Sequence, residues 1–238
     1  MPTCQLELFP VELLHMIFEY LLAHEIFYSF FNISDYIDSI LLNYDQYALN
    51  FQSIPKNQFD VVCQHVHPDQ VISLTLLDSD DTPGQSQLFL SLFPLHQFTR
   101  LRVLKLVEID NESRSLFSVL HKLESLVSLE FELKFFALYQ EVVPQVKRLA
   151  LTDPTHSYSN VKTSIFTTNV LCHLYNLTVS YCSCAQLRQI LSHIPTLRLL
   201  KTSTVVSRFE DVEEFTRIDK DVSFNLTCLI LSINESSK

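Results

Sequence analysis

The sequence predicts an α/β protein in which a curved parallel sheet of stacked repeats with helical returns follows a small all-α module. Three observations carry this. A spacing of L-x-x-L-x-L, clearest at Leu101-Arg-Val-Leu-Lys-Leu106, recurs with starts at Val71, Leu101, Leu126, Val146, Leu174, Leu197 and Leu226. Between those starts lie segments of helical periodicity, such as Leu116, Val119, Leu120 and Leu123, or Leu187, Ile190, Leu191 and Ile194. Upstream of the first repeat, residues 6–43 place their apolar groups at helical spacing.

The mean period is about 26 residues, inside the range of a leucine-rich repeat, where each unit supplies a short strand and a helical or irregular return. The expected fold is therefore a leucine-rich-repeat solenoid of about seven strands over 71–233. No unit can bury its apolar face alone, so stacking stabilises the array. In each strand the aliphatic positions point inward, as Val71, Leu74 and Leu76 do in the first and Leu101, Leu104 and Leu106 in the second. The sixth is weaker, because Thr202 stands in the last apolar place. The last is Leu226, Leu229 and Leu231. Asn or Cys at the ninth repeat position occurs only at Cys182 and Asn234, so the repeats are irregular. Pro83-Gly84, Asp153-Pro154 and Ile194-Pro195 mark turns.

Alternation along a strand sends the intervening residues to the open face. They form three columns, the third of which runs Leu77, Val107, Glu132, Thr152, Ser180, Ser203 and Ser232. The charged members Lys105, Glu130, Glu132, Arg148 and Lys201 are the candidates for contact with a client protein. Against that stands a plain reading, in which Lys105 and Glu130 pair across neighbouring strands.

Composition narrows the function classes. With a single glycine, Gly84, the chain lacks the residues that phosphate-cradling loops and dinucleotide fingerprints require. Its net charge of −10, with no Lys/Arg run, argues against nucleic acid as a partner. No apolar run is long enough to span a membrane. The start Met1-Pro-Thr-Cys4 has no signal-peptide character, so cytoplasm or nucleus is expected. The six cysteines, Cys4, Cys63, Cys172, Cys182, Cys184 and Cys228, then read as reduced and mostly buried thiols. The Asn-x-Ser/Thr sequons at Asn32, Asn111, Asn176, Asn225 and Asn234 read as chance patterns.

The first module begins with a helix expected over 10–22. Pro10 suits its first turn, where a missing N–H costs nothing, and Glu12 suits the dipole. Leu14, Ile17, Phe18 and Leu21 share one helical face, while Leu13 and Tyr20 lie off it. A short helix with apolar groups on more than one side either sits deep in a core or shares a face with a partner. A second helix is expected over Ile26–Phe31. A third, capped by Ser34, is expected over Asp35–Leu42 with Ile37, Ile40 and Leu41 on its apolar side. Residues 44–70 read as a helical linker or cap. In it Tyr44, Tyr47, Leu49, Phe51 and Ile54 are packed, and a helix over Gln58–His67 presents Phe59, Val62, Cys63 and Val66.

The residues Pro10, Glu12, Leu13, Leu14, Ile17, Phe18, Tyr20 and Leu21 resemble the opening helix of an F-box, L-P-x-E-[LI]-[LI]-x-x-I-F-x-Y-L. The likeness departs from the family at Ser34-Asp35-Tyr36-Ile37, where a basic Cys-[KR]-x-Trp passage is usual. It implies an F-box protein with C-terminal leucine-rich repeats, whose 6–43 module docks on the Skp adaptor of a cullin ubiquitin ligase. Pro10, Glu12, Leu13, Leu14, Ile17, Phe18 and Leu21 would then be the adaptor-binding residues. The alternatives are a helical cap on the repeats and a free-standing leucine-rich-repeat scaffold without a ligase role.

Other chemistry is thinly supported. His65, His67 and Asp69 lie close in sequence but have no matching ligand cluster elsewhere. Cys182-Ser-Cys184 is not a C-x-x-C motif. Asp78, Asp80 and Asp81 lack the glycine and terminal glutamate of a calcium loop. No G-x-S-x-G occurs. The expected protein is a non-enzymatic, substrate-recognition adaptor subunit of an SCF-type (Skp–cullin–F-box) ligase, with no metal and no cofactor.

Overall fold

The computed structural model describes residues 5–78, 83–107, 111–132, 145–152, 173–182, 184–205 and 226–234. Expectations that fall on Cys4, Asp80, Asp81, Asp153, Pro154, Cys172 and Asn225 lie outside the described residues. The protein is α/β, and it divides into two compact units, 1–126 and 127–238.

In the first unit a 3-10 turn over Gln5–Leu8 leads into α1 (Val11–Phe18), α2 (Ala23–Phe30) and α3 (Asp35–Asn43). Pro10 is the residue before α1, with the φ of −57° that its ring fixes, rather than a member of the first turn. Helix α1 is shorter than expected, because the chain turns over residues 19–22 to begin α2 early. Glu25, in the first turn of α2, accepts a 2.7 Å hydrogen bond from the Leu22 N–H, which anchors that start at Ala23 rather than Ile26. Between α2 and α3, Asn32 adopts a φ of +60°, and its N–H donates to Asp38 Oδ1 at 2.8 Å. Ser34 caps α3 by accepting from the Ile37 N–H, and Ile37, Ile40 and Leu41 are buried beneath it.

The segment expected to be a linker holds a strand, β1 (Tyr47–Asn50), paired parallel to β2 (Val71–Leu77). Tyr47, Leu49 and Phe51 alternate inward, a period of two that marks a strand. Helix α4 (Lys56–His65) follows Pro55 and buries Phe59 and Val62. Strand β2 pairs parallel with β3 (Val103–Val107), setting Ser73 beside Val103 and Thr75 beside Lys105. Between them lies α5 (Gln85–Leu92), which starts at Gly84 with a φ of +73°. The return after β3 is a 3-10 helix, Asn111–Lys122, that buries Leu116 and Leu120.

The second unit holds β4 (Ser128–Glu132), β5 (Arg148–Thr152), β6 (Asn176–Cys182), β7 (Leu199–Val205) and β8 (Cys228–Asn234). They pair in that order, every pairing parallel. Helix α6 (Cys184–His193) connects β6 to β7 and buries Leu187, Ile190 and Leu191.

The repeated aliphatic positions are the core of both units. Val71, Leu74, Leu76, Leu101, Leu104 and Leu106 are buried in the first. Leu129, Phe131, Val146, Leu149, Leu151, Leu174, Leu177, Val179, Leu197 and Leu200 are buried in the second, and Thr202 is buried with them. The last strand departs from the expected inward pattern. Leu229 is 39% exposed there, because among the described residues β8 is covered by a strand on one side only. Another departure is in β6, where an irregularity between Val179 and Tyr181 sets Tyr181, not Ser180, beside Ser203. A bulge of this kind inserts one extra residue and shifts everything after it.

Among the described residues, no helix is long and apolar enough to cross a membrane.

Candidate protein-docking surfaces

Helix α1 carries two apolar faces with opposite fates. Leu14 and Phe18, four residues apart, are 0% and 1% exposed. Phe18 packs against Phe30 and Tyr44, at 5.2 and 5.4 Å between ring centroids. Leu13, Met16, Ile17 and Tyr20 fall at i, i+3, i+4 and i+7, and they are 46%, 56%, 38% and 86% exposed. Of the adaptor-binding candidates, Pro10, Glu12, Leu13 and Ile17 are therefore at the surface and Leu21 is half-buried. Leu14 and Phe18 are not available to a partner, since their side chains hold α1 onto the rest of the unit. Ile17, expected to share a face with Leu14, Phe18 and Leu21, is instead on the open face with Leu13 and Tyr20. Met16 was missing from the candidate set, although its spacing from Leu13, Ile17 and Tyr20 marks the second stripe in the sequence itself.

An aromatic cluster fixes this module in place. Phe27 of α2 stacks on Tyr47 of β1 at 5.4 Å and on His65 of α4 at 5.6 Å. His65 also lies 4.3 Å from Phe31, so this ring is packed among aromatics rather than grouped with His67 and Asp69 around a shared point. Tyr44 and Tyr47 meet edge to face at 5.0 Å. Burial pushes the Tyr44 hydroxyl up to about 12, with the charges of Glu19 and Asp45 adding to the effect. Burial likewise pushes the Cys63 thiol up to about 12, helped by Asp60, so it is not a thiolate nucleophile near neutral pH. Burial lowers the pKa of His24, against the opposing pull of Glu25. Cys63 and Cys228 are free thiols, and Cys228 is exposed rather than buried.

The strand faces place the client-contact candidates unequally. Lys105 is half-buried beside Thr75 in the first unit. In the second, Glu130 is half-buried in a row that continues through Ala150 and Thr178 to Lys201. Arg148 and Lys201 are exposed. Glu132 is 3% exposed and cannot meet a client, because β4 loses its alternation at the end and buries Phe131 and Glu132 together. Strand β2 does the same with Leu76 and Leu77, so the third column is closed at those two places.

These surfaces can bind a partner through apolar burial at α1 and through charge on the strands. Among the described residues, no group of three His, Cys, Asp or Glu side chains is placed to hold a metal ion. Comparison of the chain with protein-family models and with the curated proteins finds no match.

Proposed function

We propose that this chain is the substrate-recognition subunit of an SCF-type E3 ubiquitin ligase. Its α1–α3 module docks on a Skp-type adaptor carried by a cullin scaffold, and its strand units form a leucine-rich-repeat solenoid that holds a client protein. Catalysis comes from other subunits, which gain by having the client held near them. The observation that carries this reading is the second apolar face of α1. Leu13, Met16, Ile17 and Tyr20 are left open although the helix already contributes Leu14 and Phe18 to its own core. The helix bearing that face is the one whose sequence resembles an F-box.

A free-standing scaffold is the second reading. It is favoured by the aromatic packing of α2 on β1 and α4, which makes the helices continuous with the first strands, as a cap would be. Capture of the full chain by an immobilised Skp adaptor separates the two. The ligase reading expects capture of the wild type and its loss in the double variant Leu13→Asp with Ile17→Asp, whose circular dichroism stays unchanged. Failure of the wild type to bind leaves the scaffold.

A further inference from the structure

In a chain with 17 basic and 27 acidic residues, a site in the second unit has the opposite balance among the described residues. Lys147 immediately precedes β5 and Arg148 opens it, while Arg198 immediately precedes β7 and Lys201 is its third residue. Between them, just ahead of β6, stands Tyr175, 40% exposed. The three leading residues are linked laterally through the backbone. The Tyr175 N–H donates to the Lys147 carbonyl at 2.9 Å, and the Arg198 N–H donates to the Tyr175 carbonyl at 2.8 Å. Their side chains meet as well, with Lys147 Nζ 5.4 Å and Arg198 Cζ 5.1 Å from the centre of the tyrosine ring. The face of an aromatic ring is negative, so Tyr175 draws in both cations and fixes where their head groups lie.

Arg148 lies one step further along, in the row of Asn176, and Lys201 three steps further, in the row of Thr178, and both are exposed. Among the described residues, Arg148, Arg198 and Lys201 form no ion pair. Of the carboxylates of the neighbouring strand, Glu130 shares the row of Ala150, Thr178 and Lys201 but stands three strands away from Lys201, and Glu132 is buried. Strands about 4.8 Å apart spread these cations over roughly 10 Å from β5 to β7, the length of about three residues of extended chain, and the net charge of −10 opposes a nucleic-acid backbone there.

We propose that the leading edge of β5, β6 and β7 seats an acidic peptide segment, whose Asp and Glu side chains pair with Arg148, Arg198 and Lys201. The guanidinium forks of the two arginines suit carboxylates in a two-point contact. Tyr175 is the positioning residue that keeps Arg198 and Lys147 turned toward the partner. The inference builds on the proposed function, because it names the chemistry of the client.

The test is fluorescence anisotropy with the full chain and a labelled peptide of alternating Glu and Ala, with a Lys-Ala peptide and an oligouridine as comparators. The acidic peptide is expected to bind, and to bind more weakly as salt shortens the reach of charge. Arg148→Glu and Lys201→Glu are each expected to weaken it by about tenfold or more, and Tyr175→Leu by a smaller factor. Lys56→Glu, the same charge change on exposed α4, is expected to leave binding within about twofold. All these positions are exposed, and thermal melts check that each variant folds. No binding of the acidic peptide by the wild type, an equal loss in Lys56→Glu, or equally tight binding of oligouridine overturns the proposal. The Leu13→Asp, Ile17→Asp variant keeps peptide binding, so a failed adaptor capture and a failed peptide titration are separate results.

Discussion

The hydroxyl of Tyr47 donates a 2.7 Å hydrogen bond to the carbonyl of Leu41, joining the first strand of the sheet to the last turn of the third helix. Both residues are buried, so the bond has no competition from water. It adds a second donor to a carbonyl of the last turn that also accepts from the Tyr44 N–H at 3.1 Å. A second carbonyl of the same turn, Leu42, accepts from Gln70 Nε2 at 2.7 Å.

Two neighbouring tyrosines should therefore respond in opposite ways to loss of the hydroxyl. Tyr47→Phe removes a buried hydrogen bond, while the Leu41 carbonyl keeps the Tyr44 N–H at 3.1 Å, and is expected to cost about 0.5–1.5 kcal/mol. The Tyr44 hydroxyl is buried with no hydrogen-bond partner among the described residues. Tyr44→Phe is expected to be neutral or to stabilise by up to about 1 kcal/mol. Urea unfolding of the two variants beside the wild type measures both, and equal losses would contradict the assignment.

The same pair makes the first unit sensitive to alkali. Burial raises the pKa of both hydroxyls, that of Tyr44 to about 12. The folded state thus keeps protons that the unfolded chain releases. That contribution is complete below the unfolded tyrosine pKa of about 10 and is lost as pH rises through the folded values. The urea midpoint is expected to be level up to about pH 9 and to fall above pH 10. The double variant Tyr44→Phe, Tyr47→Phe starts lower and falls less steeply over the same range.

Adjacent leucines of α1 separate stability from docking. Leu14 is 0% exposed and Leu13 is 46% exposed. Leu14→Ala opens a cavity and is expected to cost about 2–5 kcal/mol. Leu13→Ala is expected to change stability by no more than about 0.5 kcal/mol. Thermal and urea melts of the single variants decide it, independently of any partner.

Gly84 offers a test of backbone strain alone. A Cβ at this position meets nothing within 4 Å, yet the φ of +73° disfavours any L side chain. Gly84→Ala is expected to cost about 1–2 kcal/mol through that conformation. Gly84→Asn, which tolerates the left-handed region better, is expected to cost less. Comparison of the three melting midpoints checks the order.

Much of the architecture was written locally. A spacing of L-x-x-L-x-L fixes which side of each strand is apolar, and those positions are buried from Val71 to Leu200. Ser34 and the Ile37, Ile40, Leu41 set marked α3 to within a residue, because a cap and a stripe are both short-range features. The early start of α2 depends on Glu25 reaching back to Leu22, a contact that no apolar pattern signals. Strand β1 was hidden for a different reason. Its alternation of Tyr47, Leu49 and Phe51 is only a few residues long, and it becomes a strand because β2 lies alongside to share its hydrogen bonds.

By itself, then, the sequence determined the parallel α/β plan, the identity of the core and the apolar character of α1. Only the tertiary structure decided which of that helix's two faces is consumed internally. It likewise buried Glu132, shifted Ser180 out of its column and gathered Lys147 and Arg198 around Tyr175. Periodicity reports that a side chain leaves the backbone on a given side. Whether that side meets solvent or protein depends on neighbours distant in the chain, and no local pattern encodes those.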